Sequence, residues 1–147
     1  MASEKALFHH VLAAIDFDEC SGAAVEQAVR LAEHMDASLT VTHAVSVPYG
    51  YISSLMGELM AQLQDRARTE LQIVVQPIRE RLARVDDVVR WGVPWEEILD
   101  VAREVQADLI VLGARGPKQL HKVLLGSVAE KVVRMATVPV LTVHCPS

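Results

Sequence analysis

A chain of 147 residues, 51% hydrophobic, 22% charged and 4% aromatic, has the length of one domain and a globular composition, which excludes intrinsic disorder. A net charge of −5 excludes a general nucleic-acid face and docking on anionic lipid. With so few aromatics, the core is built from Val, Leu, Ile and Ala.

Val11-Leu12-Ala13-Ala14-Ile15 opens the pattern as a short apolar run ended by Asp16, the mark of a parallel strand buried on both faces. Ala24, Val25, Ala28, Val29, Ala32 and Met35 follow at helical spacing, with Ser21 as the expected N-cap. The run 39–45 is a second strand, and its alternating threonines suggest one less buried face. Pro48, Gly50 and Gly57 mark a loop over 46–57. Leu59, Leu63, Ala67, Leu71, Val74, Ile78 and Leu82 then form the apolar stripe of a long helix, with Pro77 predicting a kink or restart.

A third strand, 88–91, has the charged flanks of an edge. Gly92-Val93-Pro94 turns into a helix carrying Ile98, Leu99, Ala102 and Val105. Leu109-Ile110-Val111-Leu112 is a fourth strand as apolar as the first, Ser127 opens the last helix, and Pro139 to Val143 is the fifth strand. Strands alternating with helices predict an α/β fold, Rossmann-like, with an open five-stranded parallel sheet and helices on both faces. Placing the two most apolar strands centrally gives the order 3-2-1-4-5. A ligand is then expected where strands one and four diverge, at their carboxyl ends, beside Asp16 and Gly113.

No apolar run approaches the ~20 residues of a membrane span, and MASEKALFHH lacks the apolar segment of a signal peptide. The reading is a cytoplasmic protein, one domain over 1–147, with Cys20 and Cys145 as free thiols. Cys20 precedes a helix N-terminus, where a thiolate is stabilised.

The chemistry concentrates in one loop. Gly113-Ala114-Arg115-Gly116 is followed by nine residues and then Gly126-Ser127. Glycines let backbone N–H groups approach a phosphate, and a helix starting at Ser127 adds its positive end. Arg115 adds a fork of donors. The same residues admit a plainer reading: Ser127-Val128-Ala129-Glu130 is a capping box, and the glycines are turn residues. The loop is not a Walker A motif, because Lys118 and Lys122 lack its spacing. No paired carboxylates, Ser-His-Asp set or metal cluster stands out in the pattern. His43 reads as a packed strand residue.

G-x2-G-x9-G-[S/T] after an apolar strand resembles the nucleotide-binding motif of the universal stress protein family. Other segments agree: Val11 to Asp16, His43-Ala44-Val45, Gly92-Val93-Pro94 through Ile98, Ala107 to Gly113, and Val138-Pro139-Val140-Leu141. The resemblance implies an ATP-binding member, with Ile15 and Asp16 at the ribose or adenine and Ala44 offering backbone to adenine. It implies Leu112, Gly113, Arg115 and Gly116 around ribose and phosphates, and Gly126, Ser127, Val128 and Ala129 on the phosphate tail. ADP and AMP are alternative ligands, since Pro117 removes one N–H and Asp18 and Glu19 are acidic. Asp16 alone could hold Mg²⁺ through water.

The implied function is stress response or signalling by a homodimer joined through Val140–Val143, with nucleotide occupancy altering the 113–126 loop for a regulatory protein partner. A nucleotide-free scaffold or chaperone-like protein is one alternative. A slow ATPase or a phosphoryl or nucleotidyl transferase is the other, since such chemistry can run on positioning alone.

Overall fold

The computed structural model describes residues 5–46, 54–114 and 125–144. In chain order they form β1 (His10–Ala14), α1 (Glu19–Met35), β2 (Ser38–Val45), α2 (Ser54–Arg81), β3 (Val85–Trp91), α3 (Pro94–Glu104), β4 (Leu109–Ala114), α4 (Ser127–Met135) and β5 (Val140–His144). The sheet order is β3-β2-β1-β4-β5, and every neighbouring pair is parallel. This is the order expected from strand apolarity. Central β1 and β4 bury Val11, Leu12, Ala13, Ile110 and Val111 completely, as strands covered on both faces must.

Two cores flank the sheet. Val11, Ala13, Leu39, Val41 and Val111 face Ala28, Val29, Leu71 and Val75 of α1 and α2. Leu12, Ile110 and Leu112 face Ile98, Val101, Ala129 and Val132 of α3 and α4. Both cores are aliphatic, and the central strands β1 and β4 feed both by alternation.

Several local expectations are corrected. The β2 threonines do not mark a wetter face: Thr40 and Thr42 are 0% and 1% exposed. Each is satisfied internally, Thr40 Oγ1 by the His10 ring at 2.7 Å and Thr42 Oγ1 by donating to the Val88 carbonyl at 2.9 Å, so their burial leaves no orphan polar group. β4 runs on through Ala114, so Gly113 lies inside the strand rather than ending it.

Helix α2 starts at Ser54, inside the expected loop, and continues without interruption past Pro77 to Arg81. Pro77 removes the bond to the Ile73 carbonyl. Ile73 is 69% exposed, so that turn is wet and water can take the freed carbonyl. The α2 stripe is buried at Ala67, Leu71, Val75 and Ile78, but Leu59 and Leu63 are exposed and outside the core. Among the described residues, no helix is long and apolar enough to cross a membrane.

Candidate functional site

β1 stops at Ala14 while β2 continues to Val45. The gap left beyond β1, between α1 and α4, is a cavity of about 340 Å³, within the ~300–1,000 Å³ of small-molecule sites. It lies at the β1/β4 divergence, where open parallel sheets bind ligands. Its lining includes Ile15, Asp16, Ala44, Leu112, Gly113, Val128 and Ala129, all singled out in the sequence. Gly126 and Ser127 form the adjoining start of α4 without lining the cavity. Arg115 and Gly116 lie outside the described residues.

The acidic wall is built by the turn from β1 into α1. The Ile15 N–H donates to the Thr42 carbonyl at 2.9 Å, and then the chain leaves the sheet. Phe17 takes a left-handed backbone, φ 64°, uncommon for a bulky residue. Asp18, not Ser21, is the N-cap of α1. Its Oδ1 accepts the Ser21 N–H at 2.9 Å. The Ser21 hydroxyl lies 2.9 Å from Asp16 Oδ1 and 3.2 Å from Asp18 Oδ1, and it accepts the Asp16 N–H at 3.0 Å. Ser21 therefore ties two carboxylates to one helix start.

The opposite wall differs. Gly126 is the N-cap of α4 and makes no side-chain cap bond; Ser127 is the first helical residue. The first helical rung is Glu130 N–H to the Gly126 carbonyl at 2.9 Å. The capping-box reading of Ser127 and Glu130 is thereby corrected. The N–H groups of the first turn have no intrahelical acceptor, and Val128 and Ala129 of that turn line the cavity.

Gly113 has a second reason to be glycine. A Cβ there would sit 3.1 Å from both the Cβ and the carbonyl oxygen of Cys20, so a side chain would push α1 away. Cys20 is itself disulfide-bonded, which overturns the free-thiol reading. The one other cysteine of the chain is Cys145, outside the described residues. Residues far apart in sequence become neighbours here, because Gly113 pairs with Val143 and Ala114 with His144 at the end of β5.

Eight further residues line the cavity, among them Asp18, Ser21, His43, Pro94 and Ile98. The Asp-x-x-Ser spacing at 18–21 is itself an N-cap pattern and could have signalled the first two. His43 does pack, with its ring 4.5 Å from that of Phe17 and tilted 50°, but it also reaches the site. Pro94 and Ile98 belong to the first turns of α3, which Trp95 joins to α4 by lying 5.7 Å under the Lys131 ammonium.

A distinct polar cluster lies at the other end of the sheet. The Asp108 carboxylate accepts the His9 and His10 N–H groups at 2.8 and 3.0 Å. Burial lowers the His10 pKa below its ordinary 6.5, against the pull of Asp108 and Asp86. Among the described residues, no group of His, Cys, Asp and Glu is arranged to hold a metal.

An open parallel sheet with this strand order, and a cavity where its central strands diverge, defines the doubly wound α/β class. Within that class the chain belongs to the universal stress protein family, which it matches over residues 7–144. It is 31% identical to universal stress protein YxiE of Bacillus subtilis, over 94% of this chain and 100% of that one. The solved structure of MJ0577, a universal stress protein of Methanocaldococcus jannaschii, superposes with a TM-score of 0.82 at 25% identity, covering 96% of this chain and 99% of that one. The fold is also shared, with a TM-score of 0.65 at 24% identity over 92% of this chain and 98% of the other, by an Archaeoglobus fulgidus universal stress protein solved in complex with dAMP.

Proposed function

We propose that the chain is an adenine-nucleotide-binding stress protein, with ATP as the preferred ligand. The observation that carries this reading is the cavity between two unlike walls, acidic at Asp16 and Asp18 and rich in backbone N–H at the uncapped start of α4. Phosphate groups suit the α4 end, where the helix dipole and free N–H groups favour an anion. Ribose hydroxyls suit the acidic end, as donors to the Asp16 carboxylate. Ile15, Leu112, Pro94 and Ile98 provide apolar surface for a base.

The backbone of β2 supplies an edge for that base. Backbone groups of a strand alternate between its two neighbours. Thr42 serves β1, and the Val45 carbonyl takes the Gly92 N–H on the β3 side at 3.1 Å. Ala44 has the parity of Thr42, so its N–H and C=O face the space beyond the end of β1. One donor and one acceptor side by side match the N1 and 6-amino groups of adenine. The relative in complex with dAMP supports an adenine base in this family.

Gly116 and Arg115 complete the phosphate site in this proposal, and Asp16 holds Mg²⁺ through water when a triphosphate is bound. The protein works in the cytoplasm as a homodimer along β5. That strand is a sheet edge with Leu141 exposed, and unpaired edges favour pairing. Occupancy of the site changes the 113–126 segment that a regulatory partner reads.

The test is to purify the chain without added nucleotide, denature it and identify any released small molecule by mass spectrometry, followed by calorimetric titration with ATP, ADP and AMP with and without Mg²⁺. Released adenine nucleotide, or saturable binding at micromolar ATP, is the expected result. No release and no binding at millimolar ATP would return the chain to the scaffold reading. Sizing with light scattering at micromolar concentration checks the dimer, and a monomer would refute it.

A further inference from the structure

Resting on the nucleotide reading, we infer that His43 is a positioning residue that holds the Ala44 N–H open for a 6-aminopurine base. The inference comes from a missing rung in the β1–β2 ladder. In a parallel pair the N–H of one residue bonds one strand position, and its C=O accepts from two residues further along. Ile15 N–H donates to the Thr42 carbonyl at 2.9 Å, so the next rung would take the Ala44 N–H to the Ile15 carbonyl. Among the described residues that rung is not made. The Ile15 carbonyl is instead 2.7 Å from His43 Nδ1.

A carbonyl only accepts, so Nδ1 carries the proton and donates. The imidazole stands in for the Ala44 amide. The sheet closes neatly at Ile15, and the Ala44 N–H is left facing the cavity that Ala44 lines.

Phe17 fixes the substitute. Its ring lies 4.5 Å from the His43 ring, and its left-handed backbone at φ 64° turns it back over β2. The imidazole is then held where Nδ1 meets the Ile15 carbonyl rather than swinging to solvent. With the Ala44 N–H open and the Ala44 C=O beside it, the edge offers a donor and an acceptor in fixed order. A 6-amino purine presents the complementary order. A 6-oxo purine presents the reverse and leaves both backbone groups unpaired, which is where large discrimination arises.

The test compares wild type, His43→Phe and His43→Asn. Phenylalanine keeps a ring against Phe17 and removes the donor. Asparagine places an N–H near the position of Nδ1. In ligand-free protein, hydrogen exchange at the Ala44 amide is expected to slow about tenfold or more in His43→Phe, because the amide closes onto Ile15, and to stay near wild type in His43→Asn.

By calorimetry, wild type is expected to favour ATP over GTP by about tenfold or more. His43→Phe should lose about tenfold in ATP affinity with little change for GTP, and His43→Asn should recover most of it. Thermal melts confirm that both variants fold. Unchanged exchange at Ala44 in His43→Phe would overturn the inference, as would equal losses for ATP and GTP. If wild type binds no nucleotide, the function proposed above fails, and the ligand-free exchange alone decides whether His43 holds the amide open.

Discussion

Helices α1 and α4 both point their N-termini at the same cavity, yet they are finished in opposite ways. The start of α1 is closed. Asp18 caps it, Glu19 sits in its first turn, Ser21 ties it to Asp16, and Cys20 fastens it by a disulfide. The start of α4 is open: Gly126 is its cap and brings no side chain. A helix N-terminus becomes an anion site only if its own sequence leaves the donors unclaimed. Two equal dipoles therefore give two different surfaces, and the difference assigns an orientation to any nucleotide in between.

The largest expected effect tests how firmly the closed end is held. Reducing the Cys20 disulfide, or replacing Cys20 by Ser, should cost about 3 kcal/mol of stability, the usual scale for a bond closing a long loop. A melt with and without a dithiol reads this as a Tm difference of roughly 6–12 °C for a chain of this size. Equal melting, with the thiols alkylated after reduction so that the bond cannot re-form, would show that the closed end owes nothing to a covalent tie.

Closing the open end should remove the ligand. Gly126 has φ −58° and ψ 158°, a conformation that any residue adopts, so Gly126→Asp can act as an ordinary N-cap. The new carboxylate would take the first-turn N–H groups and repel phosphate. Affinity for ATP should fall about 100-fold, or ~2.7 kcal/mol at 1.36 kcal/mol per decade, while the melting temperature holds or rises slightly. Retained affinity would place the phosphates elsewhere.

The converse change at α1 is smaller and separates charge from capping. Asp18→Ala loses the cap bond to Ser21, a loss of about 1 kcal/mol. Asp18→Asn keeps an oxygen acceptor for that bond and removes one negative charge from the wall. Stability should hold in the Asn variant, and ATP affinity should rise about threefold, more at low salt than at high salt. AMP should gain less than ATP, because it carries less charge. A gain independent of phosphate number and salt would remove Asp18 from the electrostatics of the site.

The contrast between the two ends also shows what a sequence does and does not make readable. Strand order was legible because Val11–Ala14 and Leu109–Leu112 are apolar throughout, and only central strands can be. The site was legible as a place, since the topology fixes where β1 and β4 diverge. Its finish was not legible. Asp18 and Ser21 are both good caps, and only the path of the chain through the left-handed Phe17 makes Asp18 the cap.

Ser127 and Glu130 have the spacing of a capping box, but α4 begins one residue too early for it. Gly113 reads as a phosphate glycine, while the contact that would crowd a side chain there is with Cys20. That contact crosses the fold and has no local signature. His43 was visible as a residue that packs, but a side chain replacing a backbone rung requires the end of β1 to be known to the residue.

A final and smaller effect arises at the far end of the sheet and serves as a control on all of these. His10 is partly buried, hydrogen-bonded to Thr40, and has its pKa lowered from 6.5 chiefly by desolvation. The unfolded chain therefore binds a proton at a higher pH than the folded chain does, so stability rises with pH through that window. The contribution is present above pH 6.5, and it is lost as the pH falls from there through the lower folded value. Denaturant melts at pH 7.5 and pH 5.5 should show wild type losing more stability than His10→Gln, whose amide can still reach Thr40. Because Asp108 and Asp86 oppose the shift, the difference should be modest. It should appear equally with and without ATP, since His10 is at the amino end of β1 and the cavity is at its carboxyl end. A pH effect that vanished on nucleotide binding would mean the two ends of β1 are coupled, and the contrast between the α1 and α4 termini could not then be treated as local to the cavity.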